Sequence, residues 1–173
     1  MSNIQREHSE HTPSIQKYPM CIVAHDVDVP MNIGSLFRLA DALGIEELFL
    51  TGKSLTPPNT KIKKTSRSAE KYVKYTYEAV SLPLVERLKK RGYTVISLEI
   101  TSASIRLNEL RIPSDAPICL IVGAEDKGVS QALLDISDHT VHIPMLGENS
   151  SMNVATACAI ATYDLTQRLG SKR

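Results

Sequence analysis

Polar residues interrupt an apolar segment near the start of the chain, residues 32–38, whose sequence is NIGSLFR. At helical spacing the apolar side chains form one face, while Ser35 and Arg38, three positions apart, share the polar side. The start of a helix presents unpaired backbone N–H groups that can bind an anion. A solvent-exposed arginine on an ordinary amphipathic helix explains the same pattern, and for this segment alone it is the favoured interpretation.

A second polar interruption follows the apolar run of residues 118–122, where the sequence continues as GAEDKG. Open α/β sheets bind ligands at the carboxyl ends of their strands, which is where this turn is expected. Gly123 allows a ligand to approach the backbone closely, and Glu125 can accept hydrogen bonds. An ordinary turn whose glycines serve positive φ angles is the alternative.

The third segment, residues 143–154, has the sequence IPMLGENSSMNV and joins a strand to the last helix. Ser150 or Ser151 can cap that helix, and Ser151 and Asn153 project two hydrogen-bonding groups from its first turn. Simple capping accounts for one of the serines but not for an Asn153 within the helix.

Short apolar runs alternate with helical patterns, and these elements must position the three segments. The pattern predicts strands at Cys21–His25, Glu47–Thr51, Val73–Tyr77, Tyr93–Leu98, Ile118–Gly123 and Thr140–Ile143. It predicts helices at residues 32–43, capped by Asn32, at Leu82–Arg91 and at Ser151–Leu169. A long polar loop separates the second and third strands. We expect an α/β fold: a mainly parallel sheet with helices on both faces.

The composition is that of a globular domain, with 173 residues, 42% hydrophobic residues and a net charge of +1. This near-neutral total does not by itself indicate nucleic-acid binding. No apolar run reaches the roughly 18 residues needed to cross a bilayer, and the polar start does not resemble a signal peptide. We expect a flexible arm at residues 1–19, one domain at residues 20–173, three reduced and buried cysteines, and a cytoplasmic location.

Several common ligand motifs are incomplete or absent. Residues 51–54, TGKS, end like a phosphate-binding P-loop, but Glu47 occupies the position where that loop needs a glycine. Neither a G-x-G-x-x-G fingerprint nor a G-x-S-x-G elbow is present, which argues against a dinucleotide site and a serine hydrolase. His139 and His142 leave opposite faces of a predicted strand, so we expect no metal site there.

The three segments, in this order and at these separations, resemble the SpoU/TrmH family of the SPOUT methyltransferases over about residues 20–169. The family's first motif, Asn-x-Gly followed by Arg, matches Asn32, Gly34 and Arg38. Its second, Gly-x-Glu-x-x-Gly, matches Gly123, Glu125 and Gly128. Its third matches Ile143, Pro144, Met145, Gly147, Ser151, Asn153 and Val154. Met152 replaces the usual leucine with a side chain of similar volume and apolar character.

The resemblance implies a C-terminal trefoil knot whose cleft binds S-adenosylmethionine, and a homodimer packed through the knotted regions. It implies methyl transfer to a ribose 2′-hydroxyl of RNA, with tRNA favoured over rRNA. The implied cofactor-binding residues are Gly123, Ile143, Met145, Gly147 and Met152. The implied catalytic residues are Asn32, Arg38, Glu125, Ser151 and Asn153. A non-catalytic RNA-binding relative and a SPOUT enzyme that methylates a base nitrogen stay open as alternatives.

The family resemblance assigns Arg38 to activation of the hydroxyl, but a guanidinium stays protonated in proteins. Holding the adjacent phosphate and stabilising developing alkoxide charge is the role that suits its chemistry. The polar loop also carries basic side chains that only Glu70 opposes: Lys61, Lys63, Lys64, Arg67, Lys71 and Lys74. We expect the first four to contact RNA phosphates, and a solvated lysine-rich loop is the alternative.

Overall fold

A seven-stranded sheet forms the centre of the protein, whose structure is a computed structural model. It describes residues 3–4, 10, 12, 17–112 and 116–170. The strands are β1 (Tyr18–His25), β2 (Ile45–Thr51), β3 (Tyr75–Glu78), β4 (Thr94–Leu98), β5 (Ile105–Arg106), β6 (Ile118–Val122) and β7 (His139–His142). Their order is β3-β2-β1-β6-β4-β7-β5, and every neighbouring pair is parallel.

Helices cover both faces of this sheet. The described residues form α1 (Pro30–Ala42), α2 (Thr60–Ser66), α3 (Ser81–Lys90), α4 (Gln131–Ile136) and α5 (Val154–Gly170). Successive side chains of a strand leave opposite faces, so Ile22 of β1 packs in the core under α1, α2 and α5, while Val23 packs under α3 and α4. The predicted α/β class with a parallel sheet is therefore confirmed.

The predicted strands and helices are all present, with ends that differ by no more than three residues. Among the described residues, five short elements were not predicted: α2, α4, the two-residue β5, and the 3₁₀ helices Ala69–Lys71 and Leu107–Glu109. The predicted polar loop is wrong where α2 forms. Within α2 only Ile62 is apolar, so the helix has no periodic pattern, and Asn59 starts it by accepting hydrogen bonds from the N–H groups of Lys61 and Ile62.

The start of α1 differs from the prediction that Asn32 caps it. Val29 is the N-cap and Pro30 is the first helical residue, so Asn32 lies in the first turn. Proline suits that first position because its φ is preset and its missing N–H would have no helical partner. The side chain of Asn32 is thereby left for another partner.

The start of α5 also differs, because the predicted serine cap is wrong. The helix begins at Val154, and the Oδ1 of Asn153 accepts hydrogen bonds from the N–H groups of Ala155 (3.0 Å) and Thr156 (3.2 Å). Asn153 is therefore the N-cap, which is the residue type that this position favours.

Close packing of α2 against α1 depends on Gly34. A Cβ at this position would lie 2.7 Å from the Cβ of Thr65 and 2.8 Å from the carbonyl oxygen of Ile62. The glycine thus lets the backbones approach and holds α2 beside the helix turn that carries Asn32.

Most of the predicted arm, residues 1–19, lies outside the described residues, and β1 begins at Tyr18. Cys21, Cys119 and Cys158 are free and buried, as expected, and burial raises the pKa of Cys158 to about 12. Within the described part of the chain, no helix is long and apolar enough to cross a membrane. The trefoil knot stays a prediction, because strand order and pairing do not define how the chain threads.

Candidate active site

A cavity of about 530 Å³ opens where β4, β6 and β7 end at the carboxyl edge of the sheet. Ligands of parallel α/β sheets bind at this edge, and the volume falls in the range of small-molecule sites, about 300–1,000 Å³. The segment before α5 closes the remaining side. The lining includes Leu98, Glu99, Ile100, Gly123, Glu125, His142, Ile143, Met145, Ser151, Met152 and Asn153.

Gly123 lets the turn after β6 fold back on itself. A Cβ on Gly123 would lie 2.1 Å from the carbonyl carbon of Gly128, so no larger residue fits without moving the backbone. The N–H of Gly128 donates to the carbonyl oxygen of Ala124 at 2.8 Å and closes the turn. The same turn carries Glu125 at the cavity wall.

The segment between β7 and α5 leaves its backbone polar groups free. Within the described residues, positions 144–152 make no backbone–backbone hydrogen bond. Met145 and Met152 of this segment line the cavity together with Ile143, and all three side chains are half-buried. Apolar walls beside unpaired backbone donors and acceptors suit a ligand with a flat apolar body and polar edges.

Three side chains form a continuous hydrogen-bonded chain across the site. Asn153 donates from Nδ2 to the Oδ1 of Asn32 at 2.9 Å, and Asn32 donates from Nδ2 to the Oε1 of Glu125. Asn32 is 7% exposed, so its amide is buried between α1, α5 and the turn after β6. These hydrogen bonds fix the Oε1 of the Glu125 carboxylate and leave its other lone pairs for a ligand.

A family model described as the SpoU rRNA Methylase family matches residues 19–163, which contain all three motif segments. The chain belongs to this family. The resemblance inferred from the sequence is thus confirmed. Since the match spans the sheet from β1 to most of α5, it covers every strand that borders the cavity.

Similar proteins include methyltransferases of the SpoU and TrmH type. The Bacillus subtilis protein YacO, provisionally named a TrmH family tRNA/rRNA methyltransferase, is 25% identical over 150 residues, which are 87% of this chain and 59% of that protein. This SpoU family chain thus spans about three fifths of the length of that curated relative. Among the described residues, no group of His, Cys, Asp and Glu could hold a metal ion.

Two solved structures share the fold. AviRb from Streptomyces viridochromogenes, a SpoU methyltransferase in complex with AdoMet, superposes with a TM-score of 0.79 at 23% identity, covering 93% of this chain and 62% of that chain. A protein studied for 2-OH methylation of C/U34 on tRNA superposes with a TM-score of 0.78 at 25% identity, covering 88% of this chain and 97% of that chain.

Most of the predicted site residues of this SpoU family chain lie together. Gly123, Ile143, Met145 and Met152, which the resemblance assigned to the cofactor, line the cavity with Glu125, Ser151 and Asn153. Asn32 joins them through its hydrogen bonds. Gly147 lies outside the lining, in an exposed loop with open space around it.

Arg38 also lies outside the cavity. It is exposed on α1, six residues or about 9 Å along the helix from Asn32, and it makes no hydrogen bond or ion pair with the described residues. Glu125 and Asn153 hydrogen-bond to Asn32 instead, so among the described residues these implied catalytic side chains make no contact with Arg38.

Several cavity residues were not predicted from the sequence. They include Leu98, Glu99, Ile100 and His142, which lie at or after the ends of β4 and β7. The signal that identified Glu125, a carboxylate just after a predicted strand, applies equally to Glu99 after Leu98. His142 is held by its Nδ1, which lies 3.0 Å from the hydroxyl of Ser104.

The basic residues predicted to contact RNA are exposed on α2 and at its end. Lys61, Lys63 and Lys64 lie on the helix, and Arg67 follows it in the left-handed conformation (φ 55°). Lys74 instead pairs with Glu47 at 2.8 Å, and hydrogen bonding to that carboxylate raises its pKa. Because α2 packs on α1 at Gly34, the basic helix neighbours the turn that carries Asn32.

Proposed function

We propose that this chain is an RNA methyltransferase that uses S-adenosylmethionine and methylates a ribose 2′-hydroxyl, with tRNA favoured over rRNA. The observation that carries the proposal is the cavity at the carboxyl ends of β4, β6 and β7, which holds the Glu125–Asn32–Asn153 chain in its wall. Membership of the SpoU family supports the class of reaction.

The residues present fit the proposed cofactor. Its adenine and ribose would lie against the apolar side chains of Ile143, Met145 and Met152, with the free backbone groups of residues 144–152 beside their polar edges. Gly123 lets the turn that forms the facing wall fold back against Gly128. When bound, S-adenosylmethionine supplies an electrophilic methyl group.

The chain's own side chains orient the acceptor. Glu125, one oxygen of which is held by Asn32, keeps lone pairs for a ribose hydroxyl, and the exposed Ser151 adds a hydroxyl at the rim. The permanently charged Arg38 binds the adjacent phosphate and stabilises the negative charge that develops on the 2′-oxygen, whose proton passes to solvent at the open cavity. Alignment by these groups lowers the barrier because the reacting atoms no longer have to find one another in solution.

A homodimer accounts for the position of Arg38. Its exposed guanidinium has no partner within the described chain, so we propose that it reaches the cavity of a second copy. Apolar residues on the outer faces of the flanking helices offer a contact surface: Met31 on α1 is 49% exposed, and Ile160 and Tyr163 on α5 are 43% and 58% exposed. Exposed apolar side chains at helical spacing are typical of a helix that packs against a partner.

RNA is the partner that the charge of α2 favours. Lys61, Lys63, Lys64 and Arg67 project into solvent, and a second cavity of about 340 Å³ is lined by residues 57–60, Lys63, Glu70 and Lys71. Lysines at such a surface neutralise phosphates. The same proposal assigns a cytoplasmic location, where free thiols such as those of the three buried cysteines stay reduced.

One relative supports a tRNA ribose over the alternatives. It was studied for 2-OH methylation of C/U34 on tRNA, and the superposition covers 97% of its chain. A base-methylating enzyme would give a different product, and a non-catalytic relative would give none. These three outcomes separate cleanly in one assay.

The test is calorimetric titration with S-adenosylhomocysteine, followed by transfer of labelled methyl groups to bulk tRNA and to rRNA. We expect saturable binding and 2′-O-methylated nucleosides from tRNA. A base-methylated nucleoside would replace the ribose assignment, methylation of rRNA alone would overturn the tRNA assignment, and cofactor and RNA binding without transfer would identify a non-catalytic relative.

A further inference from the structure

Glu99 links three parts of the cavity wall. Its backbone N–H donates to the carbonyl oxygen of Val141 at 2.9 Å, which extends the pairing of β4 with β7 beyond the strand end. Its carboxylate accepts hydrogen bonds from the N–H of Ile100 at 2.9 Å and from the N–H of Val129 at 2.8 Å. Val129 follows the turn after β6 and is itself buried in the core.

Gly128 makes room for this carboxylate. A Cβ on Gly128 would lie 2.1 Å from the Oε2 of Glu99, and the residue has a φ of +64°, which glycine adopts without strain. Gly128 in turn fills the space beside Gly123, where a Cβ would lie 2.1 Å from its carbonyl carbon. Glu99, Gly128 and Gly123 are thus packed in series, and each restricts the next.

The turn held in this way, residues 123–129, carries Glu125. Because Glu125 meets Asn32 through one carboxylate oxygen, a shift of the turn would break that hydrogen bond. We propose that Glu99 is a positioning residue that holds the 123–129 turn in the geometry in which Glu125 reaches Asn32. The catalytic consequence rests on the proposed function, whereas the effect on the turn does not.

Asp126 provides a matched control. It lies in the same turn and lines the same cavity, but its exposed carboxylate makes no hydrogen bond or ion pair with the described residues. Removing its charge changes the charge of the cavity without removing an anchor. A purely electrostatic role for Glu99 would therefore be shared by Asp126.

The substitution Glu99→Gln offers one acceptor oxygen where two N–H groups need one each. We expect faster amide hydrogen exchange at Val129, weaker S-adenosylhomocysteine binding and about a 100-fold loss of kcat, since small displacements of reacting groups have effects of this size. Asp126→Asn removes a cavity charge but no hydrogen bond to Val129, so it should leave the amide exchange at Val129 nearly unchanged. Equal exchange at Val129 in the two variants, or unchanged exchange in Glu99→Gln, would overturn the proposal.

A double-mutant cycle tests the same contact without any cofactor. Gly128→Ala in the natural chain must displace the Glu99 carboxylate, whereas in the Glu99→Ala chain only the left-handed backbone strain remains. Thermal unfolding should therefore show that Gly128→Ala is less destabilising when Glu99 is absent. Additive effects would contradict the contact. If the natural chain bound no cofactor, the proposed function would fail. The cycle would still test the positioning role, because it measures unfolding without a cofactor.

Discussion

The side-chain amides of Asn153 and Asn32, 121 positions apart in the sequence, are hydrogen-bonded to each other. Their other partners determine where the oxygen and the nitrogen of each amide lie. Backbone N–H groups at the start of α5 donate to the Oδ1 of Asn153, so its Nδ2 must face Asn32. Asn32 therefore accepts through its oxygen and presents its own NH₂ group to Glu125. The cap of a helix thus determines which group meets the carboxylate in the cavity wall.

Substitutions at Asn153 separate its role as the N-cap of α5 from its hydrogen bond to Asn32. Asn153→Asp keeps the oxygen acceptors for the helix start but has no proton to donate to Asn32. We expect Asn153→Asp to be about 1 kcal/mol more stable than Asn153→Ala, because only the aspartate keeps the cap. Methyl transfer should be strongly reduced in both variants, since each leaves the buried Oδ1 of Asn32 without its donor. Chemical denaturation and methyl-transfer assays measure the two effects. Full activity of Asn153→Asp would show that the hydrogen bond from Asn153 to Asn32 is dispensable.

Replacement of Arg38 tests its role in the reaction. Because its side chain is exposed and outside the cavity, Arg38→Ala should leave S-adenosylhomocysteine affinity within a few-fold and stability within about 0.5 kcal/mol. Loss of charge stabilisation should lower kcat by about 100- to 1,000-fold. Calorimetry and single-turnover methyl transfer measure these quantities, and equal loss of binding and turnover would contradict the role.

If the proposed homodimer forms, mixed dimers test whether Arg38 acts across subunits. An Arg38→Ala chain retains its cavity, and an Asn153→Asp chain retains its arginine. If Arg38 reaches the partner's cavity, subunit exchange between the two inactive variants restores one complete site in each mixed dimer. Activity that fails to return after exchange would assign Arg38 to its own subunit.

The site was predictable where its residues are adjacent in motifs. Gly123, Glu125 and Asn153 stand in short segments with distinctive residue types, and the structure brings them to one cavity. Glu99 stands alone after β4, and its importance depends on Gly128 and Val129, which contact it only after folding. A side chain whose partners are distant in sequence carries no local pattern, so motif reasoning misses it.

The fold was predictable where apolar residues are periodic. Buried strands such as β1 and β6 are continuous apolar runs, because helices cover both faces of the sheet. In the helix α2, Ile62 is the only apolar residue, buried together with Ser66, and the helix depends on the Asn59 cap and on contact with Gly34. Such an element follows from tertiary packing, which overrides weak local propensity.

Charge on α2 should control RNA affinity and its salt dependence. Replacing Lys61, Lys63 and Lys64 with glutamine should weaken tRNA binding, and each lost phosphate contact should lower the slope of log K against log salt by roughly 0.7 to 0.9. The control for the single variant Lys63→Gln is Lys90→Gln, which removes an exposed lysine from α3 on the opposite face of the sheet. Filter binding at several salt concentrations measures the slopes, and an unchanged slope in the triple variant would return α2 to a merely solvated surface.

His25 should make the stability of the fold depend on pH. Burial lowers the pKa of its imidazole below the usual 6.5, and the Asp26 carboxylate, 3.6 Å from Nε2, opposes that shift without cancelling it. The unfolded chain therefore binds a proton at a higher pH than the folded one. The contribution of His25 to the unfolding free energy is fully present above pH 6.5. It falls as the pH drops through that value and levels off below the pKa of the folded state.

The substitution His25→Gln isolates this effect. Glutamine retains a polar group for the hydroxyl of Ser81, which lies 2.7 Å from the Nδ1 of His25, and it does not titrate. Since both proteins contain the other four histidines, the difference between their unfolding free energies reports His25 alone. Urea denaturation between pH 5 and 8 should show the natural protein losing stability relative to the variant below about pH 6.5. A difference that stays constant over this range would mean that the imidazole has the same pKa in both states, so its burial would carry no pH-dependent cost.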